Sequence, residues 1–362
     1  MKYSIKYLLF SGLFALFVFP VHADEDGKNM FNPLTTGVTT LGIAPDARGG
    51  SMGDLGVATD PDVNSQYWNP SKYAFAYSSA GVSVSYTPWL RKLVNDINLA
   101  YVAGYWKFGG NDLQALSASL RYFSLGSVPT YDNNGVLQNT VNPYEMAIDL
   151  GYSRKLSSSF SMGVVFRFIY SDMGFGGLSS AEDMSGAAAF AADISGYQTV
   201  YPIIGRSECQ FSWGFNISNI GSKVSYDGGT NSSFLPTNLR LGFSFLFPIY
   251  DYNTLSINFD ANKLLVPAAP RQSDYTYEDE YGNTQYDTEA YNRAKDKFNN
   301  TGSISGIFKS FSDAPGGFKE ELREIYFSNI PTIADSSCVP DIIMRINTRE
   351  IASMRLSVRV FL

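Results

Sequence analysis

The chain has 362 residues, with 27 Lys and Arg against 34 Asp and Glu, a net charge of −7 and a single histidine, His22. An acidic balance without a basic cluster argues against nucleic acid as a partner. The one histidine lies within the first 23 residues, and Cys209 and Cys338 are far apart. The rest of the chain therefore has no Ser-His-Asp or Cys-His set and no histidine-containing metal site, and no catalytic residue, metal or cofactor is expected.

Residues 1–23 read as a secretory signal peptide. Lys2 and Lys6 form the basic start, Leu8–Phe19 the apolar run, and Val21-His22-Ala23 a small-x-small cleavage site before Asp24-Glu25-Asp26. Removing it leaves 25 basic against 34 acidic residues, a net charge of −9. The apolar run is too short for a confident membrane-spanning helix and no other stretch approaches the length, so insertion into a membrane has to be by strands.

Residues 24–75 form an N-terminal arm, Gly- and Asp-rich from Phe31 to Phe75 and without sustained alternation. One reading is an irregular arm. The other is a plug inside a barrel, its backbone paired with the lumen wall, with Asp46 and Arg48 pairing with each other or with lumen charges.

Alternation then sets in. Tyr144, Met146, Ile148, Leu150 and Tyr152 alternate with Glu145, Ala147, Asp149, Gly151 and Ser153. After the polar Arg154–Ser159, Phe160, Met162, Val164, Phe166, Phe168 and Tyr170 face away from Ser161, Gly163, Val165, Arg167 and Ser171. A period of two puts these on opposite faces of an antiparallel hairpin. Arms of about ten residues, with aromatics at both ends, suit a tilted strand crossing a bilayer; soluble strands are usually nearer five or six.

Seven more candidates share the pattern: Gly81–Trp89, Asp96–Phe108, Leu113–Leu125, Ala187–Val200, Cys209–Ile220, Asn238–Pro248 and Thr254–Lys263. In Asn238–Pro248, Leu239, Leu241, Phe243, Phe245 and Phe247 lie opposite Arg240, Gly242 and Ser244. Lys107–Asp112 and Arg154–Ser159 are short connections, whereas Gly126–Asn142, Asp172–Gly186 and Val266–Phe298 are long. Short turns on one rim and long loops on the other are the barrel asymmetry, the long loops lying outside the cell. The longest carries Tyr275, Tyr277, Glu278, Asp279, Tyr281 and Tyr286, which read either as a solvated loop or as a protein-contact patch. Beyond it, the Pro-Gly turn of Asp313–Gly317 opens into helix formers, predicting a short amphipathic helix up to Glu324.

Five ordered motifs carry a family resemblance, from about Leu41 to Glu324. They are Asp46–Gly53, Ser65–Pro70, Asn216–Gly221, Asn262–Pro267 and Phe311–Phe318, with Asp46, Arg48, Gly53, Asn69, Pro70, Asn219, Gly221, Lys263, Pro267, Pro315 and Gly316 as motif residues of structural character. Together they resemble the PorV type in the PorV/PorQ branch of FadL-like outer-membrane barrels of Bacteroidota. The resemblance implies an all-β fold, a transmembrane antiparallel barrel of 14 strands with an N-terminal plug, in the outer membrane and in contact with its lipid. It further implies a non-enzymatic role in the type IX secretion system. There such proteins bind the C-terminal signal domains of exported cargo at the translocon and carry them to the surface attachment complex, which cleaves the signal and links cargo to lipopolysaccharide. A FadL-like channel for hydrophobic small molecules is the alternative; it needs an apolar route, whereas the legible inward rows are Ser, Gly, Asn, Asp and Arg. A hydrolase is disfavoured, since serines such as Ser157–Ser159 have no histidine to activate them.

The strands and loops are expected over 76–325. Residues 326–362 depart from the family: alternation fades from about Ile325 and Pro340–Leu362 shows no aromatic strand. In a shifted reading frame, with suitable third bases, Cys338–Phe361 encodes a tyrosine-rich hairpin of the missing kind. The nucleotide sequence tests this frameshift, and a stop codon in that frame would end it. A barrel short of its last strands has open edges, at several kcal/mol for each backbone group left unpaired in lipid.

Overall fold

A computed structural model describes residues 34–89, 96–131, 134–174, 186–205, 207–227, 232–250, 253–279, 284–312, 326–335 and 344–346. The expected signal peptide and the helix predicted beyond Pro315 lie outside the described residues, as do Cys338, Tyr281, Pro315 and Gly316.

All nine expected strands form, with ends moved by at most a few residues. They are β1 (Ala80–Pro88), β2 (Ile97–Phe108), β3 (Gln114–Leu125), β4 (Tyr144–Lys155), β5 (Phe160–Asp172), β6 (Ala187–Val200), β7 (Gln210–Gly221), β8 (Asn238–Tyr250) and β9 (Asn253–Leu264). Each pairs antiparallel with its sequence neighbour, giving one continuous meander. Two further strands lie in the tail, where none was expected. β10 (Tyr326–Asp335) pairs with β9 from Asn262↔Tyr326 to Asn253↔Asp335, and β11 (Met344–Ile346) pairs with β10. The sheet is open: among the described residues it has eleven strands, with β1 and β11 at its edges.

The faces are inverted relative to a water-soluble sheet. On β4 and β5, Leu150 and Phe166 are 62% and 56% exposed, while Asp149 and Arg167 between them are 6% and 5% exposed. Register sets this up, since Ile148↔Phe168 and Leu150↔Phe166 share the outer face and Asp149↔Arg167 the inner. The outer row continues through Leu120, Phe190, Ile194, Leu241 and Phe243. Aromatics gather at both ends of it: Tyr122, Tyr144 and Tyr170 run side by side near the long connections, and Tyr152 with Phe108 and Phe160 with Trp213 near the short ones. β2 departs from the pattern, because its buried inward row includes Leu99, Tyr101, Ala103 and Tyr105. Among the described residues no helix is long and apolar enough to cross a membrane.

The sheet curls around the arm. Ser83 of β1 donates to Asn64, Arg121 of β3 and Arg240 of β8 both stack on the Tyr67 ring, and Asp260 of β9 accepts from Gly56 and Val57. The arm consists of short pieces, notably α1 (Ala47–Ser51), α2 (Ser65–Trp68) and a 3-10 turn at Pro70–Phe75. Two small apolar clusters seat it. Val38 and Leu41 pack on Ala147, Ile169, Ala187 and Ala189 at one end, and Tyr73 and Ala76 on Tyr105 and Ala115 at the other.

Candidate functional site

The inner wall is held by one guanidinium. Arg167 Nε and Nη2 donate to Asp149 at 2.6 and 3.0 Å; Nη2 and Nη1 donate to Asp193 at 3.0 and 3.2 Å, and Nη1 also to Asn219 Oδ1. Five bonds match the five N–H groups an arginine has, so nothing is left over for a ligand. Asn219 reaches this point because β7 bulges between Ile217 and Ile220 and Asn219 adopts a left-handed φ of 59°. Its N–H donates to Asp193 at 2.8 Å and its Nδ2 to the Pro236 carbonyl at 3.0 Å.

The arm is fastened to this wall by its own motif residues. Asp46 caps α1 by accepting from Gly49 N at 2.7 Å and accepts from Trp68 Nε1 at 2.7 Å. The expected Asp46–Arg48 pair does not form: Arg48 reaches Asp62 at 2.6 Å, since Asp46 is committed to the cap and the indole. Gly49 and Gly56 lie against the Trp68 ring, where a β-carbon would overlap it. Asn69 donates to the carbonyls of Val57 at 2.9 Å and Gly196 at 3.0 Å, and Pro70 opens the 3-10 turn. Gly53, at φ 81°, ends the turn after α1. Gly221 lies flat under the Phe190 carbonyl, Lys263 over the Phe311 ring at 5.5 Å, and Pro267 beside Gly306.

Lys72 is fully buried, donating to the Gly56 carbonyl at 2.7 Å and to Thr59 Oγ1 at 3.2 Å. Burial lowers its pKa, partly offset by Asp62. Burial would raise Asp62, but Lys72 and Arg48 outweigh it and hold the carboxyl below the usual range.

The acidic, tyrosine-rich loop carries secondary structure in its described residues, while both arms of its hairpin stay exposed. Thr276–Glu278 and Thr284–Tyr286 form a small hairpin, followed by α3 (Thr288–Asn299) and α4 (Ser303–Lys309). α3 was not anticipated, although Asp287 caps it through Ala290 N at 2.8 Å and its residues are mostly good helix formers. Tyr275 packs edge-on against Tyr291, Glu278 is exposed, and Asp279 accepts from Gln285 at 3.5 Å. Tyr277 and Tyr286 are both well exposed, but Tyr277 pairs with Gln285 and Tyr286 with Thr276, so the two rings sit on opposite faces of the hairpin. Tyr277 and Tyr286 therefore do not share a face of the ribbon. Lys223 ties the end of α3 to the β7–β8 connection through the Asn299 carbonyl at 2.8 Å.

Sequence reasoning passed over Asp149, Arg167, Asp193, Asp260 and Tyr67 as site residues. The available signal was a charged residue on the small-residue side of strands whose other side is apolar; a lone Tyr67 gave none.

No curated protein matches the chain. A family model described as type IX secretion system protein PorV matches residues 25–271, more than half of the chain, taking in the arm and all of β1–β9 and ending before the tyrosine hairpin. The chain belongs to the PorV family and is a component of the type IX secretion system.

Proposed function

We propose that this protein is a non-enzymatic outer-membrane component that binds the C-terminal signal domains of exported cargo and passes them from the translocon to the surface attachment complex. The observation that carries the membrane part is the inversion of faces: apolar rows outward with aromatics at both ends, charged rows inward. In water such an exterior would be an aggregation liability; in a bilayer it is the low-energy arrangement. The sheet's curl around the arm supports closure into a FadL-like barrel with the arm as plug, because β1 and β11 otherwise present unpaired backbone groups to lipid. The family membership supports the secretion part.

The long-connection rim is the proposed partner-facing side. Besides Tyr277 and Tyr286 it exposes Tyr131 and Leu137 on a second hairpin, Val128–Tyr131 with Leu137–Val141. Affinity purification of the tagged chain from detergent-solubilised outer membranes is expected to recover translocon proteins and cargo bearing its signal domain. Recovery of neither rejects the proposal. Replacing residues 275–286 by a short turn is expected to lower cargo attachment at unchanged protein level, and unaltered attachment removes this hairpin from the contact surface.

A further inference from the structure

Resting on the barrel reading for which rim faces outward, we infer that the N-terminal arm threads the whole interior from the long-connection rim to the short-connection rim. Its first described residue, Leu34, then lies on the outer, partner-facing side. The rims are identified by the connections. β3–β4, β5–β6, β7–β8 and β9–β10 are joined by long segments at one end, and β2–β3, β4–β5, β6–β7 and β8–β9 by short ones at the other.

The arm's two ends lie at opposite rims, although its path doubles back: Asp60 accepts from Gln210 Nε2 at 2.6 Å at the short-connection rim before Tyr67 returns to mid-height. Gly37 N donates to the Phe234 carbonyl at 2.9 Å, within the long β7–β8 connection. Thr40 donates to Glu145, the second residue of β4, at the same end. At mid-height Tyr67 lies between Arg121 and Arg240, and the Trp68 carbonyl accepts from Asn216 at 3.0 Å. Lower down, the Ser71 carbonyl accepts from Ser161 at 2.7 Å, near the start of β5. At the short-connection rim Phe75 lies under Lys155, the last residue of β4, and the Ala76 carbonyl accepts from Lys107 at 2.8 Å. β1 then starts upward at Ala80, opposite Trp106. From Glu145 to Lys155 the arm follows about ten residues of β4, roughly 33 Å of strand at ~3.3 Å per residue.

Two consequences follow from this path. The sheet has to close around an arm already lying on its inner wall, because strands as far apart as β3 and β8 grip the same ring. Leu34, where the described arm begins, also lies toward the rim whose connections carry Glu278 and Glu289.

The test is labelling of whole cells with a membrane-impermeant maleimide, in the full chain carrying Cys209→Ser and Cys338→Ser. Single cysteines are introduced by Thr35→Cys at the start of the arm, by Val136→Cys on a long connection and by Ser158→Cys on a short one. The Thr35→Cys and Val136→Cys variants are expected to react in intact cells, and Ser158→Cys to lose its signal unless the cells are lysed. If Thr35→Cys reacts only after lysis, or not even then, while Val136→Cys reacts in intact cells, the threading is wrong and the barrel orientation stands. If Val136→Cys fails in intact cells, or all three react there, the orientation itself falls and takes the inference with it.

Discussion

The two faces of β3–β8 are built from the same strands but answer to different surroundings. The outer face repeats Leu, Ile, Val and Phe, exposed apart from contacts between neighbouring rings such as Phe166–Phe190. The inner face carries Asp149, Arg167, Asp193, Arg121 and Arg240, each hydrogen-bonded. In a soluble protein these charges would face water at little cost. Here they are buried, where a charge is costly unless it is paired or hydrogen-bonded, and among the described residues Arg121 Nε is the only buried arginine nitrogen left without a partner. The outer face needs no partner if its solvent is lipid. One face therefore depends on particular neighbours and the other on the medium.

The sharpest way to break this contrast is at Arg167. Arg167→Leu strands two buried carboxylates and is expected to cost about 3–5 kcal/mol, enough to abolish the folded, heat-modifiable band on semi-native gels. An outer-face substitution sharpens it from the other side. Phe166→Arg is expected to destabilise the protein by about 2–4 kcal/mol in liposome unfolding titrations, because it puts a cation against the hydrocarbon. If the face were in water, the same change would be close to neutral.

Within the arm the expected effects are smaller. Trp68→Phe keeps most of the packing but removes the donor to Asp46, for an expected loss of about 1–2 kcal/mol and faster proteolysis of the arm. Asp62 gives the smallest effect and a pH signature. Its folded pKa lies below the ordinary aspartate value, so its contribution is present above that ordinary value and is lost as pH falls through the lower folded one. Asp62→Asn is therefore expected to cost under about 1 kcal/mol at neutral pH and to flatten the acid limb of the stability curve below about pH 4. An unchanged acid limb would mean that Arg48 and Lys72 do not stabilise the ionised carboxyl.

Legibility followed the range of the interaction. The strands of β1–β9 were readable because alternation is local: one residue in, the next out, over ten residues or more. α3 was missed although Asp287 and its helix formers were in view, because an acidic, tyrosine-rich run looks like loop by composition. The tail strands β10 and β11 have no alternation strong enough to announce them, and β10 forms by pairing with the edge of β9. The motif residues were visible as a set, but their partners were not. Asp46 turned out to serve Trp68 rather than Arg48.

The sequence by itself determined a β protein whose strands have one apolar and one polar face, because that pattern is written at a spacing of two residues. Only the tertiary structure decided that Arg167 joins three strands at one point, that a bulge at Asn219 completes its coordination, and that Tyr67 is gripped by β3 and β8. Those contacts join residues up to about 170 positions apart, as in Tyr67–Arg240. No local period encodes which distant side chains meet once a sheet has curled.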